Sequence, residues 1–210
     1  MLFIIAKQNY TGVYNMINKI NNYFSTLKMC IDKLDKKEIE KFISILLEAR
    51  DKENQIFIMG NGGSGTTASH FCCDFNKGMS FNQKKRFKMI CLNDNVPTVL
   101  AYSNDVGYDI IFTEQLKNFM NKDDVVIGIS GSGNSQNIIN AIEYANSNGG
   151  LTVGLTGYDG GKLKKISKYS VNTNICDMQI TEDIHLMLCH LIYSVLMKDI
   201  IKYSEGSVNE

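Results

Sequence analysis

Two stretches decide the fold: Gln55-Ile-Phe-Ile-Met-Gly-Asn-Gly-Gly-Ser-Gly65 and Val125-Val-Ile-Gly-Ile-Ser-Gly-Ser-Gly-Asn-Ser135. Each joins a short apolar run to a cluster of Gly, Ser and Asn. An apolar run without polar alternation is what a strand covered on both faces requires. Similar runs recur at Phe87–Leu92, at Leu151–Leu155 and, more weakly, at Tyr169–Thr173. Helix-like stretches at about 66–77, 109–120, 135–148 and 160–167 separate them. This alternation predicts an α/β protein with a doubly wound, mostly parallel, five-stranded sheet.

Outward from this core, apolar residues recur at helical spacing between Ile17 and Arg50, as in Leu34, Ile39, Phe42, Ile43, Leu46 and Leu47. That pattern predicts two helices, an N-terminal arm over residues 1–52 preceding an α/β core over 53–210. A long amphipathic run at about 179–203 predicts a C-terminal helix. The 210 residues suit a single domain with an appended arm. With 22 basic and 22 acidic residues, no net field is present to gather nucleic acid or anionic lipid. No apolar run is expected to approach the ~18 residues of a membrane span, so, with that charge balance, neither a nucleic-acid nor a membrane partner is expected. The 6 cysteines lack CxxC spacing, which excludes a zinc ribbon or disulfide framework and leaves reduced, mostly buried thiols. Met1–Lys7 lacks the basic start and cleavage site of a secretory signal, so a cytoplasmic location is expected.

In open α/β sheets, ligands sit beyond the carboxyl ends of the strands, where both Gly/Ser-rich loops fall. Residues 60–65 formally match GxGxxG, but Asp94 lies well past the ~20-residue spacing of a ribose-binding acid. No GK[ST] follows, so a P-loop is excluded. Gly-Gly-Ser-Gly around Ser64 is not a nucleophile elbow either. A ligand-free structural turn remains an alternative for this loop alone. In 130–135, hydroxyls at Ser130, Ser132 and Ser135 alternate with Gly and Asn just before a helix. Free N–H groups, the positive helix end and hydroxyl donors suit a compact dianion such as a phosphate monoester. Capping by Ser135 would explain that residue but not the other two serines. Together the loops suit a sugar phosphate.

His70 and Asp74 are spaced i, i+4 just after the first loop and share a helix face. His185 and His190 lie five apart, about 140° around a helix, and point in different directions. A structural histidine and a helix-dipole carboxylate are the plainer alternatives. Cys72 and Cys73 lie in an apolar stretch and read as packing residues.

Gly60-Asn-Gly-Gly-Ser64 with His70, Asn104-Asp105, Ile129–Ser135, Leu155–Lys162, and Glu182-Asp-Ile-His185 with His190 together resemble the sugar isomerase (SIS) domain family, nearest its phosphoheptose isomerase branch. The resemblance covers nearly the whole chain and implies a flavodoxin-like single domain. It implies an aldose-ketose isomerase converting sedoheptulose 7-phosphate to a heptose 7-phosphate; the alternative is a non-catalytic SIS module that binds a phosphosugar or a partner protein. By the same likeness, Asn61, Gly62, Gly63, Ser64, Asn104, Asp105 and Glu182 contact the sugar, and Ser130, Gly131, Ser132 and Ser135 hold its phosphate. Asp74 and His190 correspond to the acid and base, and His70, Asp74, Glu182 and His190 to a zinc-binding set. Two departures stand out, Asp74 for the family's Glu and Glu182 for its Gln. A homotetramer with active sites at subunit interfaces is also implied.

Overall fold

A computed structural model describes the chain from Leu2 to Gly206, with side chains from Asn15 to Lys198. Strands β1 (Gln55–Gly60), β2 (Lys88–Cys91), β3 (Val125–Ser130), β4 (Leu151–Thr156) and β5 (Tyr169–Asn172) form one sheet in the order β2-β1-β3-β4-β5. Every pairing is parallel. The strands lie within one residue of the sequence expectation at each end. Their runs are apolar because helices cover both faces: Phe57, Met59 and Val126 pack with Ile138, Ile142 and Leu163 on one side. By strand alternation Ile56, Ile58, Ile127 and Ile129 face the other, and all four are buried.

The chain divides into two compact units, one ending at Leu34 and one beginning at Asp35. In the first, α1 (Leu2–Lys33) exposes Met16, Ile17, Ile20 and Phe24 at helical spacing. In the second, α2 (Lys36–Asp51) starts at Asp35, whose extended backbone lets its carboxylate accept from Lys37 N at 2.8 Å. Buried Phe42 of α2 meets Phe71 of α3 (Gly63–Cys73), and Phe71 stacks on Phe75 with ring centroids 4.7 Å apart. The α3 helix starts earlier than expected because Gly62, at φ +53, turns the chain into it directly after the strand. It ends in a π-helical turn, Asp74–Met79.

The helix α4 (Val96–Asp105) falls outside the stretches expected from the sequence. None of its residues is fully buried, its contact with the core resting on half-buried Val99 and Tyr102, and its start is marked by Asn95, which caps Thr98 N at 3.2 Å, and by Pro97 in the first turn. The turn Tyr108–Ile110 leads into α5 (Ile111–Phe119), and α6 (Gln136–Ser147) and α7 (Gly161–Ile166) follow β3 and β4. The last helix, α8 (Met178–Gly206), is long and apolar enough over Met178–Lys198 to cross a membrane by composition. The burial of Ile180, Ile184, Leu188, Ile192 and Leu196 accounts for that apolarity as helix packing against the α/β core.

Candidate functional site

The strand order reverses between β1 and β3, and the crevice beyond their carboxyl ends is the place such folds offer to a ligand. Pairing of Gly60 with Ile129 sets the two Gly/Ser-rich loops side by side. Across the crevice the amides of Asn61 and Asn137 bond reciprocally, both at 2.9 Å. Tyr108 donates its hydroxyl to Asn61 Oδ1 at 2.8 Å. Asn61 is therefore held from two sides, by residues that no motif singled out. Asn104 and Asp105 bond to each other at 2.8 Å at the exposed end of α4, and Tyr108 links the following turn to the loop.

In the second loop Ser130 Oγ and Ser135 Oγ lie 3.1 Å apart, and Ser132 Oγ accepts from Asn134 N at 3.2 Å. Ser135 occupies the N-cap position of α6 but makes no side-chain cap bond. Of the first-turn N–H groups of α6, that of Ile138 donates to Asn137 Oδ1 at 3.0 Å, while those of Gln136 and Asn137 keep their donor capacity for an anion. The Gly-rich 157–162 segment props the loop from behind: Gly157 N donates to Gly131 O, and Leu163 N to Gly133 O, each at 2.8 Å. Gly133, at φ +67, lies so close to the Gly160 carbonyl that a Cβ would overlap it.

The α3 and α8 helices bring the remaining candidates together. His70 Nε2 lies 2.8 Å from His190 Nε2 and 3.4 Å from Asp74 Oδ2. One imidazole must donate to the other at that distance. Cys189 is buried next to His190, with its Sγ 3.9 Å from Asp74 Oδ2. Burial, reinforced by the Asp74 charge, pushes its thiol up to about 12. One donor atom each from His70, Asp74 and Cys189 lies within 4.8 Å of the others, a group able to hold a metal. Glu182, two helical turns before His190, instead abuts the first loop: a Cβ on Gly63 would lie 2.5 Å from its Oε2. A side chain at 63 would have to push the Glu182 carboxylate aside. No hydrogen bond joins Glu182 to the histidines, or Ser64 to any histidine, among the described residues. Buried His185 points elsewhere, to Thr156 O at 3.3 Å, as its angular offset from His190 predicts. Burial pushes its pKa down to about 4.

A sequence model described as the SIS domain matches residues 21–157. The chain belongs to the SIS domain family. Its SIS relatives include the phosphoheptose isomerase of Helicobacter pylori strain P12, 34% identical over 154 residues, 73% of this chain and 80% of that one. The phosphoheptose isomerase of Fusobacterium nucleatum is 33% identical over 198 residues, covering 93% of this chain and 100% of the relative. Among solved SIS structures, the phosphoheptose isomerase of Neisseria gonorrhoeae superposes with a TM-score of 0.80 at 25% identity, covering 87% of this chain and 99% of that chain.

Sequence reasoning alone missed Asn137, Tyr108 and Cys189 as members of this SIS site. Asn137 had a readable signal, an amide one position into a helix behind a serine-rich loop. The other two are placed by tertiary contacts that spacing does not reveal.

Proposed function

We propose that the protein is an aldose-ketose isomerase acting on a phosphorylated sugar, sedoheptulose 7-phosphate giving a heptose 7-phosphate. The meeting of His190 with His70 and Asp74, on helices that also frame the Gly60–Gly65 loop, carries this reading. Ser130, Ser132 and Ser135 bind the phosphate with the Gly131 backbone and the N-terminal amides of α6. Main-chain dipoles and hydroxyls serve where the loop offers no cationic side chain. Asn61, Gly62, Gly63 and Ser64, with Asn104, Asp105 and Glu182, orient the sugar hydroxyls.

Isomerisation needs a proton removed from the carbon beside the carbonyl and a proton supplied to the carbonyl oxygen, then the reverse at the adjacent positions. His190 is the base and Asp74 the acid. His70, between them, orients both groups. The imidazoles and carboxylate suit a divalent zinc ion in ligand type, and His70, Asp74 and His190, with Glu182 as the fourth expected ligand, are the residues the resemblance assigns to it. When bound, it would supply a Lewis acid that polarises the carbonyl.

We place the enzyme in the cytoplasm as a homotetramer. Exposed Val96, Leu100 and Val106 on and beside α4, and Leu191 and Val195 on α8, support self-association. Incubation of the purified chain with sedoheptulose 7-phosphate, with and without zinc, tests the catalytic reading. Tight binding without turnover at every zinc loading rejects it in favour of a phosphosugar-binding module.

A further inference from the structure

Cys189 borders the acid–base cluster yet has no part in the proton transfers above. Its side chain is fully buried and its sulfur turns towards the carboxylate of Asp74 rather than into the apolar core. Resting on the isomerase reading of this site, we propose that Cys189 is a direct thiolate ligand of its divalent metal, together with His70 and Asp74. The centre then favours a borderline or soft cation of the zinc class over magnesium or calcium.

The distances support this donor set. A tetrahedral ion with bonds of about 2.0 Å to nitrogen and oxygen and about 2.3 Å to sulfur holds its donors roughly 3.3–3.6 Å apart. The His70 Nε2 to Asp74 Oδ2 separation, 3.4 Å, falls in that range, and the Cys189 sulfur, 3.9 Å from Asp74 Oδ2 in a group within 4.8 Å, has to close on the cation as the bonds form. The thiol gives its proton to solvent as the sulfur–metal bond forms. The set also separates two roles that compete for one lone pair. An imidazole nitrogen that ligates a metal has no lone pair left to accept a proton. With Cys189 as third ligand in place of His190, which the resemblance assigned to the metal, His70 exchanges its hydrogen bond to His190 for the cation, and His190 Nε2 remains free as the base.

Metal-free full-length protein is titrated with Co²⁺ alone and with Zn²⁺ alone. The expected result is a sulfur-to-cobalt charge-transfer band that saturates at one Co²⁺ per chain, disappears in Cys189→Ser and persists in Cys73→Ser, which alters the exposed neighbouring thiol. Zn²⁺ affinity falls by about 100-fold or more in Cys189→Ser and is unaffected by excess Mg²⁺ in the parent. X-ray absorption of the zinc-loaded parent, which needs no variant to fold, shows one sulfur at about 2.3 Å. A coordination shell of nitrogen and oxygen alone, or no metal uptake, overturns the proposal. Turnover of sedoheptulose 7-phosphate is measured on the same samples. A sulfur-ligated metal without turnover rejects the isomerase reading and leaves the ligand assignment standing, whereas turnover with a nitrogen/oxygen shell rejects the ligand assignment alone.

Discussion

Lowering the pH should remove a defined share of the stability through His185. This imidazole is 1% exposed, and its described contact is with Thr156 O, while its Nδ1 has no partner. Burial therefore disfavours its charged form and holds its pKa at about 4 against an ordinary 6.5. Between these values the unfolded chain binds a proton that the folded chain does not. Stability consequently rises with pH across that window: the contribution is fully present above 6.5 and is lost progressively as pH falls towards 4. At ~1.4 kcal/mol per pH unit, His185 accounts for ~3 kcal/mol over the whole window and about 2 kcal/mol by pH 5. Other groups titrate in the same range, so the assay compares the parent with His185→Gln, whose amide can still donate to Thr156 O. Urea unfolding at several pH values and one fixed protein concentration should give curves that diverge below pH 6.5, with the parent losing more. Parallel curves would refute a buried, neutral His185.

The remaining predictions concern the crevice. Ser132→Ala and Ser135→Ala should each weaken phosphosugar binding roughly 10- to 100-fold, the size of one hydrogen bond to a charged group, measured by calorimetry. His190→Ala should abolish turnover while calorimetric affinity changes little; an intact rate removes His190 as the base. Gly133→Ala should destabilise by more than about 2 kcal/mol in urea unfolding, because the position combines φ +67 with overlap on a backbone carbonyl. Asn137→Leu should leave Asn61 without its reciprocal amide, costing ~1–3 kcal/mol of stability and raising KM for the sugar phosphate.

How far the sequence discloses this molecule depends on how local each cause is. The strands were legible because burial on both faces leaves an uninterrupted apolar run such as Val125–Ile129, and the loops because Gly and Ser follow those runs directly. The α4 helix was not, since two half-buried residues, Val99 and Tyr102, give too short an apolar pattern to read. The same distinction runs through the site. His70 and Asp74 could be paired by counting one helical turn, and His185 could be separated from His190 by angle, because one helix sets both relations. Cys189 meets Asp74 only because α8 lies beside α3, a relation no spacing encodes. The substitution at 74 shows the limit most clearly. An aspartate where the family has glutamate reads as a carboxylate too short for its task, yet the backbone passes from α to π geometry at that residue. From there the shorter side chain lies 3.4 Å from His70 and 3.9 Å from Cys189. Reach is a property of side chain and backbone together, so the missing methylene does not by itself argue that the site has lost its chemistry.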